Sequence, residues 1–179
     1  MSRLLLIVDI QRDYFPGGRN PLVEPDAAAD AASRLLSAFR AEGSPVVHVM
    51  HVWEAPDAAF FAPGTPGVEI DPRVAPRHGE PLVVKAFPNA FRETDLGDRL
   101  RAAAPDELVI VGMMSSMCVD ATVRAAADLG YTVTVAHDAC AAPDLAFGDT
   151  VVPGAQVHAA FMAALADSYA HVASVDDIV

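Results

Sequence analysis

The apolar residues of this chain form short continuous runs, which alternate with stretches in which apolar residues lie three or four positions apart. The first run, Leu4–Val8, ends at the polar residue Asp9. Continuous runs of this length are typical of strands that are buried on both faces of a parallel sheet. The same pattern predicts further strands at Pro45–Val49, Pro81–Lys85, Leu108–Val111, Tyr131–Ala136 and His171–Val175.

Helices are predicted between these strands. Asp26 opens an alanine-rich stretch with apolar residues at helical spacing, and Gly43 closes it. Similar spacing predicts helices at about Thr94–Ala103, from Cys118 to Gly130, and at Ala155–Leu165. Strands that alternate with helices are the signature of a parallel sheet covered on both faces. The sequence therefore predicts one domain over residues 1–179, a three-layer α/β/α fold with a mostly parallel, Rossmann-like sheet of about six strands.

One connection is much longer than the others. Between Trp53 and Glu80 the sequence contains several prolines and glycines and two adjacent aromatic residues, Phe60 and Phe61. Long irregular connections in small domains are usually functional loops rather than empty linkers. We therefore expect this segment to cover a ligand site.

Composition and charge narrow the classes of function. The chain of 179 residues carries a formal net charge of -12, which repels nucleic-acid backbones and anionic membrane surfaces. No apolar stretch is long enough for a membrane span, and no secretory signal is visible. The two cysteines, Cys118 and Cys140, form neither a disulfide framework nor a CxxC pair. These features predict a cytoplasmic protein with reduced thiols, a small-molecule substrate, and no nucleic-acid or membrane partner.

Three reactive side chains lie where predicted strands end. Asp9 follows the first strand, Lys85 ends the third, and Cys118 lies where the fourth strand turns into a helix. In open parallel sheets, ligands bind beyond the carboxyl ends of the strands, at the point where strand order reverses. If the first and fourth strands are neighbours, Asp9 and Cys118 share that crevice. Free backbone N–H groups and the helix dipole are also expected to lower the pKa of Cys118 and to hold an oxyanion.

The three side chains form a chemically coherent set. The carboxylate of Asp9 can take the thiol proton of Cys118, the Lys85 ammonium favours the anionic forms, and the thiolate attacks an electrophilic carbon. Each residue alone also has an ordinary structural interpretation, as a turn cap, a solvated surface charge or a small buried hydrophobe. Their joint position at strand ends favours a nucleophilic catalytic site.

Three segments stand out along the chain: VDIQRDYF at 8–15, VKAFPNAF at 84–91 and VGMMSSMCVDATVRAAADLGY at 111–131. In sequence, order and spacing they resemble the isochorismatase-like cysteine hydrolases. The resemblance covers nearly the whole chain and implies that Asp9 is the general base, Lys85 the catalytic lysine and Cys118 the nucleophile. It also implies a cis peptide bond before Met114, so that the N–H groups of Met114 and Cys118 form the oxyanion hole.

The resemblance also bears on the substrate pocket and on oligomeric state. Phe15, Asn89 and Phe91 match positions near the pocket, although core packing is an equal explanation for the two phenylalanines. Trp53, in the long connection, is a further candidate for substrate binding. Family resemblance favours a homodimer or homotetramer.

Two departures from the family pattern narrow the expected reaction. Nicotinamidase-like relatives carry an Asp-x-His metal site after the second strand, and the matching positions here are His51 and Trp53. We therefore predict no bound metal, no cofactor and no nicotinamidase activity. Isochorismatases of this fold generally lack the cysteine. Cys118 thus favours hydrolysis of an amide-like C–N bond, in an amide or a lactam, through a thioester acyl-enzyme.

Other interpretations stay open. An isochorismatase-type vinyl-ether hydrolase would use Asp9 as an acid and leave Cys118 idle. A thiol redox or sensor protein would use Cys118, alone or with Cys140, without needing Asp9. A non-catalytic binding domain would retain the three residues without using them. Cys140 is interpreted as a bystander thiol, and His158 as a packing or subunit contact.

Overall fold

The fold is built on a central sheet, which the computed structural model describes together with its helices over residues 2–179. The described strands are β1 (Arg3–Val8), β2 (Val46–His51), β3 (Leu82–Lys85), β4 (Glu107–Met113), β5 (Val133–Ala141), β6 (Leu145–Phe147), β7 (Thr150–Val152) and β8 (His171–Ala173). Six of them form one parallel sheet in the order β3-β2-β1-β4-β5-β8, and β6 and β7 form a separate antiparallel hairpin. The predicted mostly parallel sheet of about six strands is confirmed.

Helices cover both faces of the sheet. They are α1 (Pro25–Glu42), α2 (Leu96–Ala103), α3 (Asp120–Asp128), α4 (Gly154–Ser168) and α5 (Val175–Ile178). The apolar residues of α1 and α5 pack on one face, and those of α2, α3 and α4 pack on the other. This is the predicted three-layer α/β/α arrangement. None of the helices in residues 2–179 is long and apolar enough to cross a membrane.

The packing of β1 shows why its sequence is a continuous apolar run. Leu5 and Ile7 face the layer of α1, and Leu4, Leu6 and Val8 face the opposite layer. All of these side chains are buried. A strand in the middle of a sheet with helices on both faces has no solvent-facing side, so apolar–polar alternation is lost.

The order of the strands reverses between β1 and β4, which are hydrogen-bonded neighbours. Gly112 of β4 lies opposite Val8, and a Cβ atom at that position would approach the Val8 carbonyl oxygen to 1.9 Å. Gly112 has a φ of 139° and Asp9 a φ of 52°, values that L side chains rarely adopt. The helices that follow β1 and β4 pack on opposite faces of the sheet, so a crevice lies at the carboxyl ends of these two strands, where a ligand site is expected.

From β5 onward, the structure contains more strand than the sequence predicts. Strand β5 continues to Ala141 instead of ending at Ala136, because a register shift between Ile110 and Gly112 of β4 lets the two strands pair a second time. The sequence also does not predict the β6–β7 hairpin. Its residues are mostly exposed, so they carry neither a buried run nor a clear alternation.

The last predicted strand, His171–Val175, is too long by two residues. It ends at Ala173, and α5 begins directly afterwards. Ser174 and Asp177 form a capping box, in which the serine side chain accepts from the Asp177 N–H and the Asp177 side chain accepts from the Ser174 N–H. The Ser-x-x-Asp pattern is therefore the local signal that ends the strand.

Candidate active site

The carboxyl ends of β1 and β3 and the turn after β4 bring Asp9, Lys85 and Cys118 together. Lys85 Nζ lies 2.7 Å from Asp9 Oδ2 and donates to Cys118 Sγ at 3.3 Å. Nζ also donates to the carbonyl oxygen of Phe87 at 3.0 Å. Asp9, Lys85 and Cys118 are all buried. The crevice that the sequence predicts from strand ends therefore holds the three residues close to one another.

Burial sets the protonation of this cluster. It raises the pKa of Asp9, and the Lys85 ammonium opposes that rise. The pKa of the Cys118 thiol is also raised, first by burial and then by the Asp9 carboxylate. The lowered pKa expected from the helix terminus is thus wrong, because desolvation of the sulfur outweighs the backbone N–H groups. The raised pKa keeps the Cys118 thiol protonated beside the ion pair of Lys85 with Asp9.

The Asp9 carboxylate has unused hydrogen-bonding capacity. Neither oxygen receives a well-aligned hydrogen bond from residues 2–179, although Lys85 Nζ lies 2.7 Å from Oδ2. A carboxylate oxygen of Asp9 also lies within 4.8 Å of the Cys118 sulfur. A buried carboxylate with open lone pairs is well suited to accept the proton of a neighbouring thiol.

His51 is a fourth side chain of this cluster, although in the sequence it stands out only as a position that matches a metal motif. Its Nδ1 lies 2.9 Å from Lys85 Nζ, 3.9 Å from Cys118 Sγ and 3.9 Å from Asp9 Oδ2. Burial, together with the Lys85 charge, lowers the pKa of His51 to about 4. The imidazole is therefore uncharged near neutral pH. His51 is the last residue of β2, so the strand-end rule finds it once the strand is extended past Val49.

The cluster also includes the donor atoms of a possible metal site. Asp9, His51 and Cys118 each offer one ligand atom, and these atoms lie within 4.8 Å of one another. The Lys85 ammonium, however, lies 2.7 Å from the carboxylate, 2.9 Å from the imidazole and 3.3 Å from the sulfur. A cation would have to displace this ammonium against its repulsion. The donor set therefore fits a metal poorly, and the absence of a metal stays a prediction.

A pocket of about 560 Å³ opens above Cys118. Its wall is mainly aromatic and apolar, with a few polar side chains. The lining residues are Tyr14, Asn20, His51, Trp53, Phe60, Ala86, Pro88, Met114, Met117, Cys118, Pro143, Asp144 and Leu145. Trp53 and Phe60 meet edge to face, with ring centroids 5.4 Å apart. The long connection after β2 thus lines the pocket, as expected. Tyr14, which the sequence analysis does not single out, has its phenol pKa raised by burial and remains a donor.

Three residues expected near the substrate lie outside this pocket. Phe15 belongs to the core on the α1 side of the sheet, and the Arg73 guanidinium lies over its ring at 4.8 Å. The Asn89 side chain accepts from the Phe91 N–H at 2.9 Å, which closes a local turn. The Phe91 ring is stacked on Tyr131 with centroids 6.5 Å apart. Packing and turn formation therefore account for these residues, and only Trp53 of the four expected substrate-binding residues lines the pocket.

The buried Asp13 holds the pocket loop in place. Its carboxylate accepts the Phe61 N–H at 2.6 Å and the Arg19 N–H at 3.1 Å. Gly67 lies against the same group, since a Cβ atom there would come within 2.0 Å of Asp13 Oδ1. The carboxylate thus joins two loop segments to the short helical turn that contains Tyr14. Loss of Asp13 would free the loop that carries Phe60 into the pocket.

The turn that carries Cys118 is anchored from α4. The Met113–Met114 peptide bond is cis, and residues Ser115–Val119 form a π-helical turn that ends in α3. The buried Ser115 hydroxyl lies 2.8 Å from His158 Nδ1. His158, expected to be a packing or subunit contact, therefore contacts the turn next to Met114. The oxyanion-hole role of Met114 and Cys118 remains a proposal.

Cys140 has the environment of an inert thiol. It is buried, and its Sγ donates to the Ala136 carbonyl oxygen at 3.4 Å. Burial raises its pKa to about 12. A buried, protonated thiol is a poor nucleophile.

Comparisons with known proteins agree with this fold. Residues 3–177 match the Isochorismatase domain. The chain is 50% identical to the isochorismatase family protein YddQ of Bacillus subtilis, over 96% of each chain. It is 38% identical to a streptothricin hydrolase of Streptomyces noursei over 79% of this chain and 50% of that protein. The crystal structure of an isochorismatase hydrolase from Oleispira antarctica superimposes with a TM-score of 0.95 and 52% identity, covering 99% of this chain and 95% of the other.

Proposed function

Since the chain belongs to the isochorismatase family of hydrolases, we propose that it is a cysteine-dependent hydrolase of an amide-like C–N bond in a small molecule. One observation carries the proposal. The Lys85 ammonium lies between the Asp9 carboxylate at 2.7 Å and the Cys118 sulfur at 3.3 Å, beneath a pocket that Cys118 lines. A base, a cation and a nucleophile thus meet where a substrate can enter.

In the first half of the reaction, Cys118 is acylated. Asp9 takes the thiol proton, and the negative charge moves from the carboxylate to the sulfur, where Lys85 still contacts it. The thiolate attacks the carbonyl carbon, and the N–H groups of Met114 and Cys118 hold the resulting oxyanion. The C–N bond breaks as Asp9 returns its proton to the nitrogen, so that an amine or ammonia leaves and a thioester remains.

In the second half, water releases the acid. The Asp9 carboxylate removes a proton from water, which attacks the thioester carbon. The tetrahedral intermediate collapses, the C–S bond breaks, and the proton on Asp9 passes to the sulfur. The thiol and the carboxylate are then in their starting states, and one water has been consumed for each C–N bond cleaved.

The lining of the pocket favours an uncharged substrate that is apolar or planar. Its wall contains the rings of Tyr14, Trp53 and Phe60, and its acidic side chain Asp144 disfavours anions. Lysine and arginine are absent from the wall within residues 2–179. The streptothricin hydrolase relative supports hydrolysis by this fold. A small aromatic or cyclic amide, or a lactam, satisfies these constraints.

Turnover of uncharged amides and lactams tests the proposal. Activity found for the wild type should fall at least about 1000-fold in Cys118→Ser and Asp9→Asn, because each removes a group that bonds to or exchanges a proton with the substrate. The matched control is Cys140→Ala, which removes the other buried thiol and should keep its rate. An isochorismatase-type reaction predicts instead that Cys118→Ser keeps its activity, and that result would reject the cysteine mechanism.

A further inference from the structure

None of the hydrolytic steps above uses His51, although its ring contacts the catalytic cluster. Nδ1 lies 2.9 Å from Lys85 Nζ, and it is 3.9 Å from both Cys118 Sγ and Asp9 Oδ2. The ring also lines the substrate pocket. His51 therefore stands between the buried ammonium and the space that a substrate would occupy.

The contact with Lys85 determines which ring nitrogen carries the proton. An ammonium group can only donate hydrogen bonds, so the Nδ1 that faces it at 2.9 Å acts as an acceptor. Because burial and the Lys85 charge lower the pKa of His51 to about 4, the ring has a single proton near neutral pH. That proton is therefore on Nε2. This tautomer is assigned from the hydrogen-bond geometry.

The Nε2–H group is available to a ligand. Nε2 has no hydrogen-bond partner among residues 2–179, where the polar contacts of the ring all go through Nδ1. It is also not one of the fully buried unpaired polar atoms of these residues. His51 lines the pocket and its Nδ1 faces Lys85, so Nε2–H is the ring donor that remains for a bound substrate.

The backbone around His51 is fixed before any substrate arrives. The buried Gln11 side chain accepts the His51 N–H at 2.8 Å and donates to the His51 carbonyl oxygen at 2.9 Å. Gln11 donates also to the Val68 carbonyl oxygen at 2.7 Å, and β2 pairs His51 directly with Lys85 on β3. A donor that is held by such contacts loses little entropy when it binds a ligand.

We infer that His51 is a specificity-determining residue: Nδ1 positions the Lys85 ammonium, and Nε2–H donates to an acceptor atom of the substrate. The inference rests on the proposed hydrolase function and deepens it. It selects amides that carry a second acceptor, such as a ring nitrogen, an ether oxygen or a second carbonyl, beside the bond to be cleaved. An amide of the same shape without that acceptor leaves the donor unpaired and binds less tightly.

The test uses two amides of nearly equal shape, picolinamide and benzamide, which differ by one ring nitrogen. Each is titrated for its ability to protect Cys118 from alkylation by iodoacetamide, with intact-mass detection. Protection of the wild type should be roughly five- to tenfold stronger for picolinamide, which is the effect of one neutral hydrogen bond. Equal protection by the two amides, or protection by neither, overturns the inference.

Two conservative variants separate the roles of the two nitrogens. His51→Asn places an oxygen near Nδ1 but no donor near Nε2, so it should lose the preference for picolinamide while its alkylation rate falls less than that of His51→Gln. His51→Gln places an amide N–H near Nε2, so it should keep the preference while alkylation slows roughly tenfold, because Lys85 has lost its acceptor. His78→Asn, at an exposed histidine, is the control and should behave as the wild type. Identical losses in both His51 variants would indicate packing only and would overturn the inference.

Nitrogen-15 NMR of the wild-type histidines gives a readout that needs neither a variant nor turnover. The His51 signals should be those of the Nε2–H tautomer and should remain so down to about pH 5, above the lowered pKa. A protonated Nδ1 in the neutral ring would overturn the inference. Failure of the hydrolase proposal is recognised separately, because it appears as full activity in Cys118→Ser.

Discussion

Replacing Lys85 by methionine tests the buried ion pair on which the site depends. Nζ lies 2.7 Å from Asp9 Oδ2, and both side chains are fully buried. At an effective dielectric constant of about 20, two unit charges at that distance attract by roughly 6 kcal/mol. Desolvation offsets part of this attraction, so breaking a buried pair costs about 3–5 kcal/mol. Lys85→Met should therefore lower the free energy of unfolding by about that amount near pH 7.

The pH dependence of this loss follows from Asp9. Without the ammonium, burial raises the pKa of Asp9 further than in the wild type. A carboxyl group whose folded pKa exceeds its unfolded value stabilises the fold at low pH, and the contribution is lost as the pH rises through the folded pKa. Lys85→Met should thus regain stability, relative to the wild type, as the pH is lowered toward the unfolded pKa of an aspartate, about 4.

Urea unfolding of four proteins measures both effects: the wild type, Lys85→Met, Asp9→Asn and the double variant. The double variant has neither buried charge, so it should be more stable than Lys85→Met alone near pH 7. A Lys85→Met variant as stable as the wild type would show that the buried pair does not stabilise the fold. An equal loss at every pH would refute the role of Asp9, since an unpaired carboxylate must respond to protonation.

Three further substitutions test other parts of the structure. Gly112→Ala should destabilise the fold by about 3 kcal/mol in urea unfolding, because its Cβ would meet the Val8 carbonyl oxygen; a neutral effect would contradict the close approach of the strands. Asp13→Ala leaves the Phe61 N–H unpaired, so it should lower the free energy of unfolding by about 3 kcal/mol and speed amide hydrogen exchange in the pocket loop. Unchanged exchange there would contradict the anchoring role. The folded protein keeps His51 uncharged, whereas the unfolded chain protonates it below about pH 6.5. The contribution of His51 to the free energy of unfolding therefore falls by about 2 kcal/mol as the pH drops from about 6.5 to about 4, after allowance for the partial exposure of the ring. His51→Asn should remove this part of the acid slope; an unaltered slope would contradict it.

The sequence predicts that Asp9, Lys85 and Cys118 lie together because the apolar runs have clear ends. Asp9 and Lys85 are the polar residues that end the first and third apolar runs, and Cys118 follows the fourth run after a turn at 112–117. Parallel strands present such residues at one edge, so the rule needs no knowledge of side-chain contacts. The same rule misses His51, since the predicted second strand stops at Val49, whereas β2 continues to His51.

Other features depend on packing that the order of residues does not contain. The raised pKa of Cys118 reflects its burial beside Asp9, which a strand–turn–helix pattern does not reveal. Phe15 and Phe91 lie near the site in sequence, but their side chains turn into the two cores on opposite faces of the sheet. A homodimeric or homotetrameric state and a cytoplasmic location remain predictions.

The most direct measurement of the central claim is the mass of the intact enzyme shortly after mixing with p-nitrophenyl acetate. The account predicts a single acetyl group on Cys118 of the wild type, none on Cys140, and very slow acetylation in Asp9→Asn, because the raised thiol pKa makes the carboxylate necessary for attack. Equal acetylation of the wild type and Asp9→Asn, or acetylation of Cys140 in place of Cys118, would contradict it.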